Sequence, residues 1–350
     1  MLKVVVIGLG TISDMHIKSY VANEQVELYG LCDMNEQRAK EKAATYDVRQ
    51  VYTDPEDVFA SPDVDAVSIC TWNKTHADLA VRALRAGKHV LVEKPLAMTV
   101  KEAELVAEAA RESGNILQVG YVRRFGTNAQ VLKSFIDKDR LGDIYYAKAS
   151  LLRRVGNPGG WFSDKERSGG GPLIDLGVHI IDSCWYLMGR PKVKAITGHV
   201  YDHLGNRSHI KNLSFYKAAD YDASANSVED LANALITFEN GSSLMVDVSY
   251  SLHTKKDQLS MQLFGTKGGA ELEPELLLVM EENDTILNVE PQIDQRTFDF
   301  NGAFQKQIDA FAEACLTGGP SPAPAEDGLE LMKILEGIYQ ASEQKKTVQL

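Results

Sequence analysis

The stretch KVVVIGLGTIS, residues 3–13, decides the fold. Val4–Ile7 are consecutive β-branched apolar residues that read as a buried strand, and Gly8 and Gly10 break it before a helix opens. A strand, a glycine-rich turn and a helix in that order make a phosphate-binding unit. Gly8 permits the tight turn and Gly10 lets the backbone approach a pyrophosphate, which the N–H groups and positive dipole end of the helix then face. Thr11 and Ile12 complete the turn. Ser13 replaces the third glycine of the pattern and is small enough for close helix–strand packing. Asp33, 23 residues after Gly10, ends the next strand signal. A carboxylate there accepts hydrogen bonds from the adenosine ribose hydroxyls and repels a 2′-phosphate. Met34 and Asn35 follow, with no Arg or Lys directly beside the acid, so NAD is expected and NADP remains possible.

Outward from this unit, strand signals at Lys3–Ile7, Glu27–Cys32, Ala66–Cys70, His89–Val92 and Ile116–Gly120 alternate with helical stretches at His16–Ala22, Glu36–Tyr46, Thr75–Ala86 and Val100–Ser113. Strands spaced by helices without hairpin turns imply right-handed βαβ units: an α/β Rossmann domain with a doubly wound parallel sheet, over residues 1–122. After Arg124 the texture changes. A helix at Asn128–Lys138, an alternating run at Ile144–Leu152 and a helix at Leu173–Leu187 precede strand signals at Lys192–Val200, Ala232–Glu239, Ser242–Ser251, Gln258–Phe264 and Gly269–Leu272. Asn240-Gly241 is a hairpin turn. Residues 123–350 thus read as an α+β domain with a large open, mainly antiparallel sheet. Within it, 202–230 is a long loop, and Thr317–Ala325 is a linker before a last helix, Ala325–Gln344.

Bulk properties exclude several functions. The net charge of −12 opposes nucleic acid or anionic membrane as partner. No run approaches the ~20 apolar residues that span a bilayer, and the apolar start reads as a strand rather than a signal peptide, so a cytoplasmic protein is expected. Cys32, Cys70, Cys184 and Cys315 are scattered without metal-ligand spacing and read as reduced thiols; no metal site is expected.

Glu93-Lys94-Pro95 follows a strand, at the carboxyl edge of the parallel sheet where ligands bind. Together with Gly120–Phe125 (GYVRRF) and Gly169–His179 (GGGPLIDLGVH), it resembles the Gfo/Idh/MocA oxidoreductases, which include glucose–fructose oxidoreductase and inositol dehydrogenase. The resemblance implies a catalytic trio of Lys94, Asp175 and His179 and hydride transfer between a sugar or polyol hydroxyl and the nicotinamide. It implies a homodimer or homotetramer through the second sheet as well. Residues i and i+4 share a helix face, so Asp175 and His179 can meet one substrate. An alcohol gives up hydride only as its proton leaves; His179 suits the general base, Asp175 a neighbouring hydroxyl, and Lys94 the reacting oxygen, although His179 and Lys94 remain alternatives as proton acceptor.

The resemblance places Thr71-Trp72-Asn73 where the family often has a Thr/Ser-Pro-Asn turn near the nicotinamide ribose; Trp72 replaces the proline and either stacks on a ring or covers the core. His76 and Glu93 are placed near the cofactor, His76 with a structural role as an alternative. One of Arg123 and Arg124 is expected to reach the ligands, Arg123 at the cofactor or Arg124 at the substrate, the other forming a structural ion pair. Trp161 is a substrate wall or core residue, and Asp182 and Trp185 support the helix. His16, His89, His199, His203, His209 and His253 have no partner pattern and read as structural or surface. Two other readings use the same residues: redox-assisted elimination from a sugar with tightly bound NAD, and a non-catalytic dinucleotide sensor.

Overall fold

In chain order the first part alternates β1 (Leu2–Ile7), α1 (Ser13–Val21), β2 (Val26–Cys32), α2 (Glu36–Tyr46), β3 (Gln50–Tyr52), α3 (Pro55–Ala60), β4 (Ala66–Ile69), α4 (Asn73–Arg85), β5 (His89–Val92), α5 (Val100–Ser113) and β6 (Leu117–Val119). Then come α6 (Thr127–Asp137), β7 (Ile144–Leu152), α7 (Lys165–Ser168), α8 (Val178–Leu187), β8 (Val193–Tyr201), β9 (Leu231–Phe238), β10 (Ser243–Ser249), β11 (Gln258–Gly265), β12 (Gly268–Glu273), β13 (Leu277–Glu282) and β14 (Thr285–Val289). The chain closes with α9 (Phe300–Thr317), α10 (Ala325–Gln344) and β15 (Val348–Gln349). The structure is a computed structural model and describes all residues except 208, 219–221, 223 and 224. Those six belong to the expected 202–230 loop and lie outside the described residues; none of its described residues is in a helix or strand.

The chain divides into two units, residues 1–125 with 300–332, and 126–299 with 333–350. In the first, six parallel strands are ordered β3-β2-β1-β4-β5-β6. The order reverses between β1 and β4, which opens a crevice at their carboxyl ends, the place where open α/β sheets bind ligands. Local chemistry sets several of the helix boundaries. Asn35 and Asp54 cap α2 and α3, a Thr99–Glu102 capping box opens α5, and Gly114 ends α5 at φ 67°.

The unit boundary departs from the expected unbroken second domain over 123–350. Helix α9, which the sequence reading left out, returns to the first unit because Ile308, Phe311 and Ala312 pack into one core with Val4, Val6, Ile17, Leu31 and Leu91. Its apolar spacing at Phe300, Phe304, Ile308, Phe311 and Cys315 is a legible helical stripe.

In the second unit nine strands are ordered β14-β13-β12-β11-β7-β10-β9-β8-β15, antiparallel except for the parallel pair β7–β10. Asn240-Gly241 turns β9 into β10, with Gly241 at φ 85°. The hairpin β13–β14 was also missed. Its turn residues Asn283 and Asp284 both take positive φ, at 52° and 58°, which is the two-residue turn chemistry that Asn and Asp tolerate best. Ala147, Ala149, Leu244, Val246 and Leu263 are buried on the sheet face that α8 packs against. The opposite face leaves Leu235, Met245 and Phe264 exposed, with Phe264 stacked on Tyr146 at 5.5 Å between centroids.

Candidate active site

Strand β1 ends at Ile7, and Gly8 turns the chain at φ 86°; a Cβ there would lie 2.9 Å from the Cys70 carbonyl. Only glycine fits that position. Around Gly10, by contrast, a Cβ would meet nothing within 4 Å, so the loop has open space above it. The N–H groups of Gly10, Thr11 and Ile12 take no acceptor among the described residues. Open space and unspent donors at the start of α1 fit a pyrophosphate. Ser13 is fully buried and donates to the Gly10 carbonyl at 2.7 Å, so it latches the turn as well as filling the glycine position.

Asp33 sits at the end of β2 as expected. Its Oδ2 accepts the Leu9 N–H at 2.8 Å and its Oδ1 the Asn35 N–H at 2.8 Å, which aims the carboxylate along the loop. Sequence reasoning missed two basic residues on α2. Arg38 reaches Asp33 Oδ2 at 3.4 Å, and Lys42 contacts Ser13 Oγ at 3.1 Å and Asp14 Oδ1 at 2.6 Å. Both lie one or two helical turns beyond Asp33, so adjacency in sequence was the wrong test. An arginine at this corner can meet a 2′-phosphate, which keeps NADP chemically open.

At the carboxyl end of β5, Glu93 is buried and Lys94 is half-buried. Glu93 Oε2 accepts the Lys94 N–H at 3.2 Å, and Oε1 faces His16 Nε2 at 2.8 Å. His16, read as structural or surface with no partner pattern in sequence, is fully buried on α1, with Nδ1 2.8 Å from Ser68 Oγ. Burial alone would lower its pKa; Cys70 and Glu93 outweigh burial and raise it to about 10. Burial likewise works to raise Glu93, and the His16 hydrogen bond overcomes it and holds the carboxyl low. The result is a buried ion pair tying the phosphate-loop helix to the strand end that carries Lys94.

His76 is buried between two backbone carbonyls. Its Nδ1 donates to the Pro95 carbonyl at 2.7 Å, its Nε2 lies 3.2 Å from the Thr71 carbonyl, and burial lowers its pKa so that it stays neutral. It joins the Thr71-Trp72-Asn73 turn to the Lys94 turn. Trp72 is 42% exposed, so it does not cover the core, and Asn73 is buried. Arg124 forms the structural ion pair: it is buried against Asp327 and donates to the Pro322 carbonyl at 3.1 Å. Arg123 is half-buried beside it.

In the second unit, the expected single helix over 173–187 is two pieces, a π-helical turn at Leu173–Gly177 followed by α8. Such turns insert an extra residue per helical turn and occur often at functional sites. From Gly170 to Trp185 every residue is buried except Asp175 and His179. Asp175 and His179 are therefore the two partly exposed residues of an otherwise buried segment. Tyr250, fully buried, donates to Asp175 Oδ2 at 2.8 Å; burial and then the neighbouring carboxylate raise its pKa well above the ordinary phenol, so it remains a donor. Gly177 packs against Leu173 and Val248, where a Cβ would come to 3.1 and 3.5 Å.

Gly170 and Gly171, before Asp175, are required by the protein's own packing. A Cβ on Gly170 would lie 2.0 Å from Tyr339 Oη, and one on Gly171 2.5 Å from the Glu229 carbonyl. Glu229, Tyr250 and Tyr339 went unnoticed in sequence. The available signal was Glu229-Asp230, two acids placed directly before the alternating strand β9. Trp161 stacks on Phe162 at 3.9 Å and is half-buried. The loop carrying it is stitched to residues 226–227, since Asn157 Nδ2 donates to Asn226 Oδ1 at 3.0 Å and Ser227 N to the Ser163 carbonyl at 2.9 Å. Asp182 is buried, and Trp185 donates to the Pro191 carbonyl at 2.9 Å. Among the described residues no acid, histidine or cysteine cluster could hold a metal, and no helix is long and apolar enough to cross a membrane.

Residues 2–121 match the family model described as an oxidoreductase family with NAD-binding Rossmann fold, and residues 133–350 match its C-terminal alpha/beta domain. The chain is 31% identical to D-glucoside 3-dehydrogenase of Escherichia coli over 352 residues, covering 100% of this chain and 97% of the relative. It is 25% identical to myo-inositol 2-dehydrogenase of Thermotoga maritima, covering 100% and 98%. The solved structure of levoglucosan dehydrogenase with NADH and levoglucosan superposes with a TM-score of 0.86 at 22% identity, covering 99% of each chain, a likeness of fold.

Proposed function

The chain belongs to the Gfo/Idh/MocA family of NAD-binding oxidoreductases, and we propose that it oxidises a secondary hydroxyl of a sugar, glycoside or cyclic polyol. The observation that carries this reading is that Asp175 and His179 are the two partly exposed residues in a segment otherwise closed to solvent. When bound, the nicotinamide supplies the hydride acceptor. Gly8, Gly10, Thr11, Ile12 and Asp33 would hold the dinucleotide, with Thr71, Trp72, Asn73, Glu93 and Arg123 around its nicotinamide half. NAD is the expected partner because Asp33 is already aimed by the Leu9 and Asn35 N–H groups and opposes a 2′-phosphate.

His179 would take the hydroxyl proton, as a neutral imidazole does near neutral pH. Asp175, held by Tyr250, would accept a hydrogen bond from a neighbouring substrate hydroxyl. Lys94, whose N–H is fixed by Glu93, would donate to the reacting oxygen and stabilise its developing negative charge. Trp161 offers a flat face for the C–H side of a sugar ring. Relatives named as dehydrogenases favour net oxidation over transient oxidation with elimination. The exposed Leu235, Met245 and Phe264 face suits a second copy of the chain, and the free cysteines suit the cytoplasm.

The test is a panel of glycosides, aldoses and inositols assayed with NAD and with NADP for reduced nicotinamide. Turnover is expected with NAD and at least one panel member, and it is lost in Lys94→Ala and His179→Ala. Equal turnover in wild type and both variants would sink the assignment.

A further inference from the structure

We propose that Glu229 is the positioning residue of the second unit's site, holding the segment that presents Asp175 and His179; this rests on the reading of those two residues given above. The first N–H groups of a helix have no partner inside it. Here two of them converge on one side chain: Gly171 N–H donates to Glu229 Oε2 at 2.9 Å and Leu173 N–H to Oε1 at 3.2 Å. Tyr339 Oη donates to the same Oε1 at 2.8 Å, and burial, then the carboxylate, keep that phenol protonated. The carboxylate is buried and accepts three hydrogen bonds from two separated parts of the chain. Charge-assisted bonds of this kind are short and directional. Gly170 and Gly171 are the complement of the clamp, since any side chain there would collide with Tyr339 or with Glu229 itself.

Leu173 is the point at which the clamp acts on the site. Its N–H is held by Glu229 while its carbonyl accepts the Val178 N–H, the bond that closes the π turn. An extra residue in a helical turn is an uncommon register that must be held from outside. If the turn relaxed to α-helical pairing by one residue, all that follows would rotate by about 100° relative to what precedes it. Asp175 and His179 would keep a common face but present it in a different direction from the held start of the segment. The next residue along the chain adds a second hold: the Asp230 carbonyl accepts the Tyr250 N–H at 2.8 Å, and the Tyr250 hydroxyl holds Asp175. Residues 229 and 230 thus secure the start of the segment and its first working side chain together.

Glu229→Gln keeps the shape but replaces one acceptor with an NH2 that faces a backbone N–H. Turnover per NAD-binding site, counted by fluorescence titration, is expected to fall about tenfold or more, the scale set by small misplacements of reacting groups. The NAD dissociation constant is expected to stay unchanged, because Glu229 lies in the other unit. A Glu229→Gln protein with a lowered melting temperature but turnover within about twofold of wild type would overturn the proposal. If that variant does not fold, Tyr339→Phe decides in the same assay. A loss of turnover with unchanged NAD affinity supports the clamp, and full turnover refutes it. Asp175→Asn and His179→Ala run alongside. If both keep wild-type turnover the underlying reading fails, whereas if both lose it and Glu229→Gln does not, Glu229 alone is exonerated.

Discussion

Lys94 and His179 come from regions built on different supports. Behind Lys94 stands a buried ion pair, His16–Glu93, joining a helix and a strand of a parallel sheet whose order is set by βαβ connections. Behind His179 stands an irregular helical turn held by the carboxylate of a residue 50 positions later and by Tyr250 and Tyr339. The first support is a buried ion pair between two regular elements, so losing it leaves a charge stranded in the core. The second is made of single hydrogen bonds between distant segments, so it can fail while the fold survives. Damage near Lys94 should therefore appear as lost stability, and damage around His179 as lost turnover.

The largest effect should come from His179→Ala. Removing a general base lowers kcat by about 10²–10⁴-fold, and NAD affinity by fluorescence titration should be untouched. A parallel loss of NAD binding would break the contrast between the regions. Glu93→Gln should come next, as a loss of stability: leaving His16 buried without its partner costs about 3–5 kcal/mol in a denaturant titration.

The pH dependence sharpens that second result. His16 is raised from 6.5 to about 10, so its contribution is fully present below 6.5 and is lost as pH climbs towards 10. Glu93 is lowered, so its contribution is present above the ordinary carboxylate range and is lost as acid protonates it. Wild type should show a melting-temperature plateau that falls on both sides, and Glu93→Gln should flatten both flanks. An unchanged profile would mean that the pair does not support the first unit.

A smaller effect is expected from Tyr250→Phe, which removes one hydrogen bond to a charged group, worth about 1.5–3 kcal/mol. It should appear in kcat more than in melting temperature, and the reverse would move Tyr250 to the purely structural side. Least of all should come from Arg38→Ala. Its pairing with Asp33 is long and exposed, worth at most about 1 kcal/mol, so NADP use should drop by no more than about fivefold while NAD use holds.

Legibility followed the range of the interactions. Gly8, Gly10 and Asp33 could be read because each role is set within one strand–turn–helix unit, and the hairpin at Asn240-Gly241 for the same reason. Asp175 and His179 were readable as a motif, yet the π turn between Leu173 and Gly177 was not, since helical periodicity over so few residues does not separate the two registers. The glycines at 170 and 171 are visible in the motif, but their packing role is not, because the residues that crowd them, Tyr339 and Glu229, are far away in sequence. Helix α9 and the β13–β14 hairpin carried visible local signals, Phe304–Ile308–Phe311 spacing and the Asn283-Asp284 turn.

The glycine-rich stretch at residues 3–13, with which the chain announces itself, determined the dinucleotide-binding unit by sequence alone: backbone conformation and strand alternation are local properties. Only the tertiary structure decided that α9 belongs to that unit, that His16 is Glu93's partner, that Arg124 is spent on Asp327, and that Glu229 holds the turn before His179. Each of these depends on which distant side chain arrives at a buried polar group, and that is set by packing, which no single segment contains.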